Sequence, residues 1–213
     1  FGVRVMEGYG ATECSPIIAV NGPMRCRFGS VGELLPCMEW KLEPVEGIEA
    51  GGILHVRGPN VMLGYLRDSA PGVLEPPKSV YGPGWYATGD LAVVDDDGFL
   101  TLQGRMKRFA KVAGEMVSLE LVERLAEAAS PESVHAAVSR PDPSRGEMIV
   151  LVTQDAELRR ERLQQAAREL GAPELAVPRR VIAVQKIPLL GSGKKDYPSV
   201  SLLAEAELER RDG

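Results

Sequence analysis

Three short stretches carry residue types suited to work on a nucleotide. In "MEGYGATECSP", residues 6–16, Tyr9 offers a flat ring for stacking, Thr12 a hydroxyl for a phosphate and Glu13 a hard oxygen for Mg2+. Gly8 and Gly10 would let backbone approach a ligand closely. In "GWYATGDL", residues 84–91, Asp90 could accept hydrogen bonds from the vicinal hydroxyls of a ribose. In "LLGSGKKD", residues 189–196, Lys194 stands after a Gly-Ser-Gly run, an ammonium able to reach a carboxylate or phosphoryl oxygen. That stretch is not a P-loop. Counting back from Gly193-Lys194, Pro188 stands where the first glycine should be, and Lys195 where the magnesium-binding Ser or Thr should be. Taken singly, each stretch also reads as an ordinary turn: a Gly-rich loop, a turn-forming acid, a surface arm.

The elements that must position these residues fall into two halves. The first is rich in Gly and Pro, with strand-like runs at 51–58 and 91–104; Leu91–Val94 and Phe99–Gln103 flank Asp95-Asp96-Asp97-Gly98, a strong hairpin signal. It reads as a small antiparallel sheet or barrel. After Gly104 the pattern alternates helix and strand. Ser118 can cap a helix carrying Leu119, Val122, Leu125, Ala126 and Ala129 at helical spacing. Strands are expected at Val134–Val138, Met148–Thr153 and Val181–Val184, and helices at about 157–170, stopped by Gly171, and at 200–211. The fold class is α+β, with residues 1–103 as one domain, 104–213 as the other, and a hinge within 104–108. The segment "GRMKRFAK" between them holds Arg105, Lys107, Arg108 and Lys111 and no acid.

Of the 213 residues, 44% are hydrophobic and 26% charged, as in ordinary globular proteins. No run approaches the roughly 18–20 apolar residues of a membrane helix, so the chain is expected to be soluble. The net charge of -5 divides unevenly: residues 1–103 hold 7 Lys and Arg against 13 Asp and Glu, residues 104–213 hold 18 against 17. Without a basic excess, no nucleic-acid partner is expected. Cys14, Cys26 and Cys37 have neither zinc-site nor disulfide spacing and suit a reducing compartment.

Together and in this order, "YGATE" (9–13), "YATGDL" (86–91), "GRMK" (104–107) and "SGK" (192–194), with "GGILHVRGPNVMLGYL" (51–66), resemble the adenylate-forming acyl and aryl synthetases. "KRFAKVAGEMVSLELVE", "APELAVPRR" and "LLGSGKKD" are more narrowly similar to the synthetase half of the bacterial bifunctional 2-acylglycerophosphoethanolamine acyltransferase/acyl-[acyl-carrier-protein] synthetases. Lys195 and Asp196 depart from the apolar residue and Arg usual after "SGK", which favours that subfamily. The resemblance implies ATP and Mg2+ as cofactors, and a fatty acid, acyl carrier protein and a lysophospholipid as partners. It implies a parent associated with the cytoplasmic side of the bacterial inner membrane. It implies that Tyr9 stacks on adenine, Thr12 meets phosphate, Glu13 binds the metal, and Asp90 and Arg105 hold the ribose. Lys107 would be the hinge residue, Val112, Ala113 and Gly114 would line the pantetheine channel, and Lys194 would be a swinging catalytic lysine that serves adenylation alone. The family's upstream Ser/Thr/Gly-rich phosphate loop has no counterpart here, so the chain reads as a C-terminal part of such an enzyme, expected not to adenylate by itself. A fatty acyl-CoA synthetase and a non-catalytic carrier-protein docking module are the alternatives, and Arg108 with Lys111 is a candidate contact for an acidic carrier protein.

Overall fold

The computed structural model describes residues 2–212 and divides between Lys107 and Arg108 into two compact units of an α+β chain. The first unit is all β. Strands β1 (Gly8–Gly10), β2 (Ile17–Val20) and β3 (Glu33–Leu34) form one antiparallel sheet. Strands β4 (Glu39–Glu43), β5 (Gly52–Arg57), β8 (Tyr86–Val94) and β9 (Leu100–Arg105) form a second in that order, and β6 (Tyr65–Leu66) pairs with β7 (Leu74–Glu75). The hairpin expected at Asp95–Gly98 joins β8 to β9. Its turn is held by the Asp95 carboxylate, which accepts the N–H groups of Asp97 and Phe99 at 3.0 and 2.9 Å. Ile18, Leu54, Val56, Ala92 and Leu100 make the core beneath. Gly10 serves this fold rather than a ligand, because a side chain there would meet the Pro16 carbonyl at 2.0 Å.

In the second unit the hairpin of β10 (Phe109–Val112) and β11 (Glu115–Ser118) leads into helix α1 (Leu119–Ala129). The expected cap is present: Ser118 Oγ accepts the Leu121 N–H at 3.3 Å. β12 (His135–Asp142) and β13 (Gly146–Thr153) follow, then α2 (Arg160–Glu169), β14 (Arg180–Ala183) and α3 (Tyr197–Asp212). The five strands form one sheet, antiparallel except where β14 runs parallel to β13. Side chains alternate across it. Ala137, Ile149 and Leu151 face the α1 and α2 core, while Ala136, Val138, Val150 and Val152 face Val200 and Ala204 of α3.

Two boundaries differ from the sequence reading. The stretch after Gly104 carries regular structure almost throughout: β9 continues to Arg105, a short 3-10 turn covers Met106–Arg108, and β10 begins at Phe109. Helix α3 starts three residues earlier than expected, because the Asp196 carboxylate accepts the Ser199 N–H at 3.3 Å and its hydroxyl at 2.7 Å. Among the described residues no helix is long and apolar enough to cross a membrane.

Candidate functional site

In the first unit three predicted residues converge. Asp90 lies on β8 opposite Arg105 of β9. Its Oδ2 accepts the Tyr9 hydroxyl at 2.5 Å, and its Oδ1 lies 3.1 Å from Arg105 Nε. Thr88 sets the geometry beneath: its hydroxyl donates to the Leu54 carbonyl at 2.9 Å and accepts the Asp90 N–H at 3.1 Å. Burial, followed by the bond to Asp90, pushes the Tyr9 phenol far above its ordinary value, so it is a permanent donor. Asp90 is only 7% exposed, whereas the Arg105 side chain is 71% exposed and can turn toward a ligand.

Glu13 sits beside this group on the short 3-10 turn Thr12–Cys14, with Thr12 exposed. Its Oε1 accepts the Tyr65 hydroxyl at 3.0 Å. Segment 60–65 grips the turn from its backbone side: Asn60 Nδ2 donates to the Cys14 and Ile17 carbonyls, and the Met62 N–H to the Glu13 carbonyl. Tyr86 lies close enough to Glu13 to feel its charge. Burial and then Glu13 push its phenol up, so it too stays protonated. Among the described residues no cluster of three acids, histidines or cysteines could hold a metal by itself. Glu13 alone therefore suits a Mg2+ that arrives with phosphates and water, the usual arrangement for that ion. Tyr65 and Tyr86 escaped the sequence reading, although both lie in the quoted motifs.

The remaining predicted residues lie in the second unit, apart from Lys107, which is the last residue of the first. Leu190 and Lys194 close a tight turn: the Leu190 N–H donates to the Lys194 carbonyl and the Gly193 N–H to the Leu190 carbonyl, both at 2.8 Å, with Gly193 at φ 81°. Lys194 is exposed at the base of this turn, opposite Leu190, and none of the described residues pairs with its ammonium. Lys107 is exposed on the Met106–Arg108 turn. Val112 is buried, and Ala113-Gly114 make a two-residue hairpin turn with φ of 53° and 91°, its Ala113 N–H donating to Arg145. Beside that turn a cavity of about 310 Å3 is lined by Val112, Met148, Leu175, Arg145, Arg160 and Arg179, the last paired with Asp142 at 2.8 Å.

One basic residue of the "GRMKRFAK" stretch does not act as expected. Arg108 is turned inward, its side chain only 12% exposed, where it meets Glu123 of α1 at 2.6 Å and the Ala137 carbonyl at 2.8 Å. It is unavailable to an acidic carrier protein. Lys195, read as a subfamily mark, meets the same Glu123 at 2.7 Å. Glu123 was missed, though a signal existed. It falls on the inner stripe of α1 with Leu119, Val122 and Ala126, where an acid needs internal partners.

One further constellation deserves chemistry's scrutiny. His55 lies between Ser79 Oγ at 2.7 Å and Glu43 Oε2 at 2.8 Å, in the order of a nucleophile relay. Ser79 Oγ is also held by the Tyr81 N–H at 3.1 Å, and the Tyr81 ring covers the buried imidazole edge-on. The trio braces β4, β5 and the 79–81 turn.

Comparison with known proteins bears on the family of the chain. Residues 1–66 match the AMP-binding enzyme family. A long-chain-fatty-acid–CoA ligase of Yersinia pestis is 32% identical over 99% of the chain, which spans 36% of that relative's length. Among solved structures, the amide bond synthetase McbA of Marinactinospora thermotolerans is 32% identical with a TM-score of 0.67, covering 95% of this chain and 43% of its own. The anthranilate CoA ligase AuaEII, solved with anthranoyl-AMP, is 26% identical with a TM-score of 0.68, covering 95% of this chain and 40% of its own. These likenesses place the chain in the AMP-binding, adenylate-forming superfamily. Within it, the relatives named CoA ligases favour a CoA-ligase reading over the carrier-protein one.

Proposed function

We propose that the chain is part of an ATP-dependent acid–thiol ligase that activates a fatty acid as its acyl adenylate and passes the acyl group to a thiol, with coenzyme A as the favoured acceptor. The observation that carries this is the Tyr9–Asp90–Arg105 group: a buried carboxylate whose partners are a permanent phenol donor and an exposed guanidinium. In this reading Asp90 and Arg105 hold the ribose, and the Tyr9 ring stacks on adenine while its hydroxyl stays on Asp90. Glu13 would offer its Oε2 to Mg2+, which neutralises phosphate charge when bound. Lys194 would meet the acyl carboxylate as its oxygen bonds to the α-phosphorus and pyrophosphate departs. An unpaired ammonium on a glycine-flanked turn suits a charge that must arrive for one step and leave before the next. Lys107 is the proposed pivot. The Ala113-Gly114 turn is the proposed lip of the thiol channel, and the arginines of the neighbouring cavity suit the phosphates of a phosphopantetheine arm.

The carrier-protein reading, with its acyl transfer to a lysophospholipid, rested on Lys195-Asp196. Both residues have internal partners, which gives them a structural reason to be there whatever the thiol acceptor. The experiment is ATP–pyrophosphate exchange with a long-chain fatty acid in the whole protein, followed by acyl transfer offered to coenzyme A and to acyl carrier protein. Lys194→Ala is expected to lower exchange at least about a hundredfold, the scale of losing one charge aimed at the transition state, while sparing transfer from preformed acyl adenylate. Unchanged exchange would overturn the assignment of Lys194, and transfer to carrier protein alone would overturn the acceptor.

A further inference from the structure

Glu123 is 6% exposed, and its two oxygens serve four donors. Oε1 accepts from the Arg108 guanidinium at 2.6 Å and the Ala137 N–H at 2.9 Å; Oε2 accepts from Lys195 Nζ at 2.7 Å and the Tyr197 hydroxyl at 3.1 Å. The Arg108 guanidinium also lies 3.7 Å from the centre of the Tyr197 ring. Three of these donors come from opposite ends of the second unit: Arg108 directly follows Lys107, whereas Lys195 directly follows Lys194 and Tyr197 lies at the start of α3 just beyond. A carboxylate accepts about four hydrogen bonds, so this one is saturated. Withdrawing it would strand two cations in the interior.

Lys194 itself has no such anchor. Its turn is glycine-flanked, and every freedom left in the turn must be lost again when the ammonium reaches its target. We infer that Glu123 is a positioning residue for Lys194: by holding Lys195 and Arg108 on one buried carboxylate, it fixes the Leu190–Lys194 turn to the residue that follows the pivot. Rotation about Lys107 then carries the lysine turn as a rigid part of the second unit. The inference rests on the adenylation reading of Lys194, but its first test does not.

That test is amide hydrogen exchange on the chain as described, comparing wild type with Glu123→Gln, Lys195→Met and Lys195→Arg. Lys195→Met keeps the Arg108–Glu123 pair and folds even if the glutamine variant does not. Exchange at Leu190 and Gly193, whose hydrogen bonds close the turn, is expected to rise about tenfold in Lys195→Met, the equivalent of one charge-assisted contact. β12 and β13 should keep their wild-type rates, and Lys195→Arg should restore protection. Unchanged exchange in the turn, or an equal rise across the whole unit, would sink the inference. In the whole protein, Lys195→Met should lower kcat for pyrophosphate exchange about tenfold at unchanged KM for ATP, as expected for lost orientation rather than lost binding. A loosened turn with unchanged kcat, in a protein that Lys194→Ala inactivates, would also overturn it. If Lys194→Ala leaves exchange intact, the adenylation reading is what fails, and the anchoring of the turn stands on the amide data.

Discussion

Asp90 in the first unit and Glu123 in the second are carboxylates of almost equal burial, 7% and 6% exposed, and each faces an arginine. Their partners differ. Arg105 is 71% exposed and Arg108 12%. When a ligand displaces Arg105 from Asp90, the guanidinium has water to go to. Arg108 has none, and Lys195 and Tyr197 close the remaining side of Glu123. Burial of an acid therefore does not by itself mark a ligand site; what marks it is whether the partners are free to leave. In the proposed reading Asp90 belongs to a place built for exchange, whereas Glu123, with every partner enclosed, belongs to one built for permanence.

The most severe way to break this contrast is to remove both carboxylates. Glu123→Leu leaves two cations without a counter-charge and is expected to cost the second unit about 3–5 kcal/mol. Asp90→Leu frees an arginine that is already solvated and orphans one phenol, for about 1–2 kcal/mol. Urea unfolding followed separately in the two units measures both, and equal losses would collapse the distinction. A smaller effect sharpens it. Asp196→Ala removes the cap of α3 and should cost about 1 kcal/mol without changing which thiol accepts the acyl group. A changed acceptor would return Lys195-Asp196 to the role of subfamily mark.

The smallest effect is invisible at neutral pH. Burial, and then the negative charge of Glu123, push the Tyr197 phenol from its ordinary 10 up to about 12. Below pH 10 folded and unfolded chains both keep the proton. As pH rises from 10 toward 12 the unfolded chain releases it first, so this contribution to stability is present below pH 10 and lost as pH climbs through 12. The second unit should weaken across that window, and Tyr197→Phe should flatten the slope in an alkaline denaturation series. An unchanged slope would mean that Tyr197 does not sense Glu123.

Local devices were legible before any coordinates. The Asp95–Gly98 turn, the Ser118 cap and the helical stripe of α1 each depend on residues within a few positions of one another, so the pattern carries the geometry. The convergence of Tyr9 on Asp90 was legible only through the resemblance of motifs, because 81 residues separate them. The Glu123 group was not legible. Tyr197 lies 74 residues from Glu123, and Arg108 and Lys195 look from the sequence like any solvated cations. Asp196 was misjudged for a related reason. A cap is recognised from the start of its helix, and the apolar spacing pointed to Val200 rather than Tyr197 as that start.

The Ala113-Gly114 turn has a consequence of its own. Ala113 holds φ at 53°, a left-handed conformation that glycine or asparagine would adopt at lower cost. Glycine would also give the turn more ways to move. The single methyl group thus exchanges durability for stiffness at the lip of the proposed thiol channel. In the proposed reading, one side chain at position 113 sets both the backbone strain and the stiffness of the channel's lip.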